Sequence, residues 1–447
     1  MDKTELQARI DKYRSLLLDD VLPFWQKHSP DLKHGGFYNY LGRDGQVLFT
    51  DKNVRQQGRM VLLFARAYNE LEKRQEWLDL ALQGIKFIED HCFDERDGRT
   101  YYDVTEDGRP VRKRRYVVTE HYTVMSYIEL FKATGNPEWK AKAEKLYKTI
   151  MMYYYNPELL PPKFYPARKV RAHNIPMIIS CTSIMMRELG GDTSLYDRTI
   201  KTCLGEVFGD FLDYDKKALR EIVNADGTPC ETPEGRTINP GHSIETSWFT
   251  MTEAAFQKDE ALLEKALTVL GWSLDWGWDE VQGGGGIIYF RNVDEAEGHE
   301  PDQYEHELKL WWPQNEAIYA TFLAWTLTRD EKWLDWFRKI EKWFFDHFPD
   351  PEYGEIIKYL RRDGTPSCTM KGTRWAGAFH YPRMLFNLIR LMEVEKLKGR
   401  RAQGPFPFSA ALCYNLPQTR MNAPRRCPAG RRLQTRTTAQ PGTTNHN

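Results

Sequence analysis

A short β-prone run ending in Asp-Gly recurs along this chain at nearly constant spacing, and that recurrence restricts the fold more than any other feature. It occurs at Asp44-Gly45, Asp107-Gly108, Asp226-Gly227 and Asp363-Gly364, and the run Gly285-Gly286-Ile287-Ile288-Tyr289-Phe290 leads to Asp294 in the same way. Asp-Gly between alternating residues predicts a tight hairpin, because both turn positions tolerate positive φ. The aspartates step by 63, 119, 68 and 69 residues. The double step places a unit without a hairpin near Pro161-Pro162. Between hairpins, apolar residues fall three and four apart, as do Leu6, Ile10, Tyr13, Leu17, Val21 and Phe24 in a helix over 4–28. The same pattern predicts helices over 54–73, 75–92, 118–133, 137–154, 176–189, 195–213, 242–257, 260–275, 315–328, 331–347 and from 382 onward. Two helices and a hairpin fit a period in the sixties, and six such units account for the chain to about residue 395.

Beyond residue 397 the character changes. Residues 398–447 are rich in Pro, Arg and Thr, lack helical periodicity and carry Arg420, Arg425, Arg426, Arg431, Arg432 and Arg436; the segment is expected to be a disordered tail outside the fold. The formal net charge is zero, which excludes a global field directed at nucleic acid or a membrane surface. No run reaches the ~18 apolar residues of a membrane helix. The seven cysteines are odd in number and form no C-x-x-C pair, which argues against a zinc cluster or disulfide framework. With a charged, amphipathic N-terminal stretch, these features predict a soluble cytoplasmic protein.

The stretch Asn239-Pro240-Gly241-His242 reads as a helix start, with Asn239 the N-cap and Pro240 the first helical residue. Glu245 lies three residues on and shares a face with His242. The positive helix end is expected to keep His242 neutral, an effect of roughly 0.3–1 kcal/mol. A basic imidazole beside a carboxylate is what proton abstraction from carbon requires. His173 and His380 also stand beside prolines at expected helix starts. If the units are equivalent, the three histidines converge at one end, among positive helix termini suited to an anionic intermediate. Arg59, on a helix of Leu, Phe and Tyr, could meet an oxyanion; Glu316 lies just beyond Asn315, a possible cap; Trp375 could stack on a sugar ring, as several of the 14 tryptophans could. Tyr116, His121 and Tyr122 are weaker candidates. His299 and His306 lack zinc spacing and a third ligand, so no metal is expected. There is no phosphate-binding glycine loop and no G-x-S-x-G elbow.

The chain resembles the N-acylglucosamine 2-epimerase family from about residue 5 to 395, a span set by its helical units and ordered motifs. The motifs are Phe24-Trp25, His34-Gly35-Gly36-Phe37, Gln57-Gly58-Arg59, Asn239-Pro240-Gly241-His242 with Glu245, Glu307-Leu308-Lys309-Leu310-Trp311-Trp312-Pro313, Asp350-Pro351-Glu352-Tyr353-Gly354-Glu355, and Gly377-Ala378-Phe379-His380 with Pro382-Arg383. The resemblance implies an all-α (α/α)6 barrel over residues 1–397, with short β-hairpins in its loops. It implies cofactor-free chemistry at C2 of a ring-opened sugar. One of His242 and His380 removes the C2 proton and the other returns one to the opposite face through an enediolate. Arg59 then steadies a sugar oxygen, and Glu245 and Glu316 orient the histidines and hydroxyls; Arg236, in the loop before Asn239, and Trp312, of the Trp-Trp-Pro motif, join His173 and Trp375 as substrate-binding candidates. The N-acyl branch implies N-acetylglucosamine and N-acetylmannosamine as substrates, ATP as an activator that is not consumed, and a homodimer. His173 resembles a histidine of the branches acting on free sugars (mannose, glucose, cellobiose), and those epimerases or aldose–ketose isomerases are the alternative. Gln314 stands where N-acyl epimerases often carry His. A glycoside hydrolase would need a carboxylate pair, for which only Glu245 and Glu316 offer themselves; a binding protein would have no use for both His242 and His380.

Overall fold

The computed structural model describes residues 1–114, 116–161, 167–281 and 284–398. The tail from 399 on, and with it Cys413 and Cys427, lies outside the described residues, as does Pro162. The helices are α1 (Lys3–Ser15), α2 (Leu22–His28), α3 (Val54–Glu70), α4 (Gln75–His91), α5 (Val118–Thr134), α6 (Pro137–Tyr155), α7 (Asn174–Met186), α8 (Ser194–Glu206), the short α9 (Pro233–Arg236), α10 (Pro240–Gln257), α11 (Glu260–Gly277), α12 (Trp311–Thr328), α13 (Glu331–His347) and α14 (His380–Leu397). A π-helical turn, Leu16–Val21, joins α1 to α2.

Sequence decides which helices lie inside. Every residue of α12 from Trp311 to Leu327 is buried, so no face is left for water. Its partner α13 buries one stripe, Trp333, Leu334, Phe337, Ile340, Trp343 and Phe344, and exposes lysines on the other side. The same division runs round the molecule. Helices α3, α5, α7, α10, α12 and α14 pack against one another in that order, α14 returns to α3, and α4, α6, α8, α11, α13 and α1 back them from outside. This is the (α/α)6 barrel.

Connections are short at one end, where αL residues Gly135, Lys258 and Arg329 stop the inner helices. At the other end the connections are longer, and hairpins lead into α3, α5, α10 and α14. The expected hairpins are present at Asp44-Gly45 (Tyr40–Leu41 with Val47–Phe49), Asp107-Gly108 (Asp103–Val104 with Pro110–Arg112), Asp226-Gly227 and Asp363-Gly364 (Tyr359–Leu360 with Pro366–Cys368). The one expected at Asp294 is not: Arg291–Asn292 pairs with Thr237–Ile238, and Asp294 opens a 3-10 turn, Glu295–Glu297. Asn315 is not a cap either. Helix α12 starts four residues earlier, leaving Asn315 fully buried with its amide on the Met384 sulfur.

Two devices fasten the hairpins to the inner helices. Gln57 on α3 accepts from Phe37 N–H and donates to Phe37 C=O, both at 2.7 Å; Gln314 on α12 does the same to Ile287 at 2.8 Å. Fully buried lysines then meet fully buried aspartates: Lys52–Asp31 at 2.7 Å, Lys309–Asp279 at 3.1 Å, Lys371–Asp350 at 2.8 Å. Each pair joins the end of an outer helix to the strand or loop before the next inner one. The hairpin end of the barrel, where all six inner N-termini gather, is therefore held rigidly.

Candidate active site

The Asn239-Pro240-Gly241-His242 stretch forms the predicted helix start. Asn239 Oδ1 accepts the His242 N–H at 3.1 Å, and Pro240 is the first residue of α10. Gly241 is required by a close approach. A Cβ there would lie 2.6 Å from two atoms of the Trp312 ring, on the first turn of α12. That contact lets the indole reach both histidines, its ring centre 5.1 Å from His242 and 5.5 Å from His380, the first residue of α14. The two imidazoles thus flank one tryptophan.

Each imidazole is tied at Nδ1 to a carboxylate. For His380 it is Glu316 Oε1 at 2.7 Å, whose other oxygen accepts from Trp248 Nε1 at 2.8 Å. For His242 it is Glu221, with both oxygens 3.1 Å from Nδ1. Glu221, five residues before Asp226, was not among the predicted site residues. The predicted partner, Glu245, instead accepts from Arg383, which also donates to Glu316 Oε1 at 2.7 Å. Arg383 was legible only as part of a motif.

The neighbours set the two histidines apart. Burial disfavours charge on His242, but the Glu221 carboxylate, with Glu245 behind it, outweighs burial and holds its pKa above the ordinary value. The helix end, expected to favour the neutral ring, is opposed here by the direct contact with Glu221. His380 is held well below the ordinary value by burial first, and then by Arg383. Burial opposes charge on Arg383 too, yet Glu316 and Glu245 keep it firmly cationic.

Arg59 is buried and donates to Tyr122 Oη at 2.7 Å and the Trp375 carbonyl at 3.5 Å. Its guanidinium lies 4.5 Å from the ring centres of Tyr122 and Phe379, and burial lowers its pKa to about 10. Trp375 itself is 53% exposed, with Arg55 and Arg114 at 4.9 and 5.2 Å from its ring centre. His173, the N-cap residue of α7, is fully buried. Its Nε2 is 2.9 Å from Thr246 Oγ1 and its Nδ1 3.6 Å from Glu221, so it stands behind the carboxylate rather than on an open wall. Arg236 is not brought to the histidines; it pairs with Asp294 at 3.2 Å and Glu231 at 3.4 Å. His121 is buried against Thr182 Oγ1 at 2.7 Å, and burial lowers its pKa to about 3. Tyr116 Oη accepts from Arg114.

Glu245, Glu316 and His380 offer ligand atoms within 4.8 Å of one another, but Arg383 already supplies the positive charge between the two carboxylates. His299 and His306 line a cleft of about 230 Å3 together with Arg291 and Arg362, cations that disfavour a metal there. No helix among the described residues is long and apolar enough to cross a membrane.

Residues 35–381 match the family described as N-acylglucosamine 2-epimerase (GlcNAc 2-epimerase). The N-acylglucosamine 2-epimerase of Mus musculus is 33% identical over 381 residues, covering 82% of this chain and 88% of its own. A cellobiose 2-epimerase of Bacteroides fragilis is 23% identical, with 83% and 95% covered. Among solved structures, the cellobiose 2-epimerase of Bacillus thermoamylovorans B4167 superposes with a TM-score of 0.73 at 20% identity, over 86% of this chain and 99% of its own, and a D-mannose isomerase with 0.68 at 16%, over 87% and 97%. The chain belongs to the N-acylglucosamine 2-epimerase family and is a carbohydrate epimerase.

Proposed function

We propose that the enzyme interconverts N-acetylglucosamine and N-acetylmannosamine by exchanging the C2 proton between His380 and His242. One observation carries this reading: two imidazoles flank one indole, each bound to a carboxylate through Nδ1, which leaves Nε2 of each as the working nitrogen. With the sugar open-chain, His380 Nε2 takes the C2 proton, and the C–H electron pair moves into the C1 carbonyl to give a 2-acetamido enolate, the counterpart of the enediolate a free sugar would form. His242 Nε2 then gives a proton to the opposite face of C2 as the carbonyl re-forms. Arg59, kept cationic at neutral pH despite burial, balances the enolate charge. No cofactor takes part in these steps. Trp312 and Trp375 supply apolar faces for the sugar, and Glu245 and Glu316 hold Arg383 and His380 in register.

Two observations support the N-acetylated sugars. Identity is higher to the N-acyl epimerases than to the cellobiose enzymes. His173, which favoured free sugars, has no exposed surface with which to touch one. The test is turnover in D2O over a panel of N-acetylglucosamine, N-acetylmannosamine, mannose, glucose and cellobiose, with and without ATP. Deuterium at C2 of an N-acetylated product is expected. Product without label at C2 overturns the two-histidine exchange, label at C1 of a ketose makes the enzyme an isomerase, and turnover confined to free sugars overturns the substrate.

A further inference from the structure

The mechanism leaves the half-buried Glu221 and the fully buried His173 unused. Glu221 sits where the strand Ile222–Asn224 begins, and this strand pairs with Val170–Ala172, so the backbone N–H of His173 reaches the Glu221 carbonyl at 2.9 Å. That pairing places the His173 ring directly behind the Glu221 carboxylate. Thr246, one helical turn after His242, closes the arrangement with its hydroxyl 2.9 Å from His173 Nε2. With that hydroxyl donating to Nε2, His173 carries its proton on Nδ1, the nitrogen facing Glu221 at 3.6 Å. Glu221 therefore faces two imidazole nitrogens, and among the described residues it has no ion pair with a lysine or arginine.

We propose that Glu221, held in place by His173 and Thr246, is a positioning residue that keeps the transferable proton on His242 in the resting enzyme, making His242 the donor and His380 the acceptor when a turnover begins. This rests on the two-histidine reading above and adds a resting direction to it. The charged and titratable groups facing His242 are Glu221 from the strand, Glu245 from its own helix and Tyr289 beyond Trp312. Tyr289 stays neutral because burial raises its pKa. Burial alone would raise the Glu221 carboxyl, but His242 and His173 hold it well below the usual carboxylate range, so the anion persists wherever the enzyme works. Around His380 the balance is opposite, because Arg383 neutralises Glu316 and Arg59 and Arg55 add positive charge. The epimer whose C2–H faces His380 meets a ready base. The other epimer reacts from the form in which the proton has crossed. Both forms hold the same number of protons, so both directions share one pH profile. Its alkaline limb reports loss of the His242 proton.

The test is kcat/KM against pH for the full chain, wild type and Glu221→Gln. The alkaline limb is expected to fall by a pH unit or more in Glu221→Gln, while the acid limb stays in place. Glu221→Asp is expected to restore most of the shift. Thr246→Val, which removes only the hydroxyl behind His173, is expected to move the same limb by less and serves if the Gln variant does not fold. A uniform loss at every pH, or an unmoved alkaline limb, overturns the proposal. C2 labelling in D2O separates the two readings. Wild type without C2 label fails the two-histidine exchange itself, whereas labelled product with an unmoved limb fails only the role of Glu221.

Discussion

Gly241→Ala sets two known effects against each other. Alanine in a helix is favoured over glycine by roughly 0.5–1 kcal/mol, and position 241 lies in the first turn of α10. Against this, the new methyl would sit 2.6 Å from Trp312 Cη2 and Cζ3 and 3.0 Å from Pro313 Cβ. Reaching ordinary contact requires a retreat of roughly 0.9 Å. The ring has little room for it, since it packs on His242 and His380 and lies edge-on to Tyr289 with centres 6.0 Å apart. Overpacking of this kind costs about 1–3 kcal/mol, so the helix gain is cancelled or exceeded. The larger effect falls on catalysis. A displacement near 1 Å of the surface between the two imidazoles should lower kcat/KM by about 100-fold, as misplacement of that size does in positioned reactions. The assay is epimer interconversion followed by chromatography, with a melting curve on the same preparation. A variant that melts higher than wild type and keeps its kcat/KM would refute the argument.

Gln314→Ala removes the two hydrogen bonds to Ile287 and one to the Leu310 carbonyl, and is expected to cost about 2–4 kcal/mol in a denaturant titration. Its preference among sugars should not change; an altered ratio of N-acetylated to free sugar turnover would show that Gln314 reads the substrate. Lys371→Met removes one of the two cations on the fully buried Asp350 and leaves Arg43 with its bonds at 2.9 Å, a loss of about 1.5–3 kcal/mol at pH 7. Burial pushes the Asp350 carboxyl up, but its hydrogen bonds from Arg43 and Lys371 hold it below the usual range. Stability from this pairing is thus present above the unfolded carboxyl value of about 3.9 and lost as pH falls below it. The wild type–variant gap in melting temperature should narrow towards pH 3, and a gap that is constant with pH would contradict the assignment.

What could be foreseen follows the range of the interactions. The Asn239 cap, the Pro240 start and most hairpins are local, set within a few residues, and they stand where the pattern put them. The Asp294 hairpin failed because its strand pairs with Thr237–Ile238, over fifty residues away in the chain. The partner of His242 failed for a related reason. Spacing of three puts Glu245 on the same face, but Arg383 from α14 draws Glu245 off. Glu221 reaches His242 only because strand pairing brings residues 170–172 and 222–224 together. Its one visible signal was an acidic residue beside the apolar Ile222 and Val223 of a hairpin strand. Gln314 looked like a departure near the sugar. It proves to be the equivalent of Gln57 in another unit, and only comparison between units would have exposed that.

The contrast between the two histidines isolates what tunes them. Both are histidines on the first turn of an inner helix, so the helix dipole acts on them alike and cannot set them apart. Both have a carboxylate on Nδ1, so the presence of an acid cannot do so either. The first difference is depth, the His380 side chain being 10% exposed and that of His242 29%; the second is what stands behind each acid. Glu316 shares its charge with Arg383, while Glu221 has an imidazole behind it and, among the described residues, no ion pair with an arginine. A dipole worth roughly 0.3–1 kcal/mol is outweighed by a charge-assisted bond of about 1.5–3 kcal/mol, and that bond favours the imidazolium only when the carboxylate's charge is not already claimed. Burial, and then one arginine three residues after His380, therefore set the two imidazoles apart although the barrel repeats its helix starts. The two-sided proton exchange proposed above draws on that asymmetry.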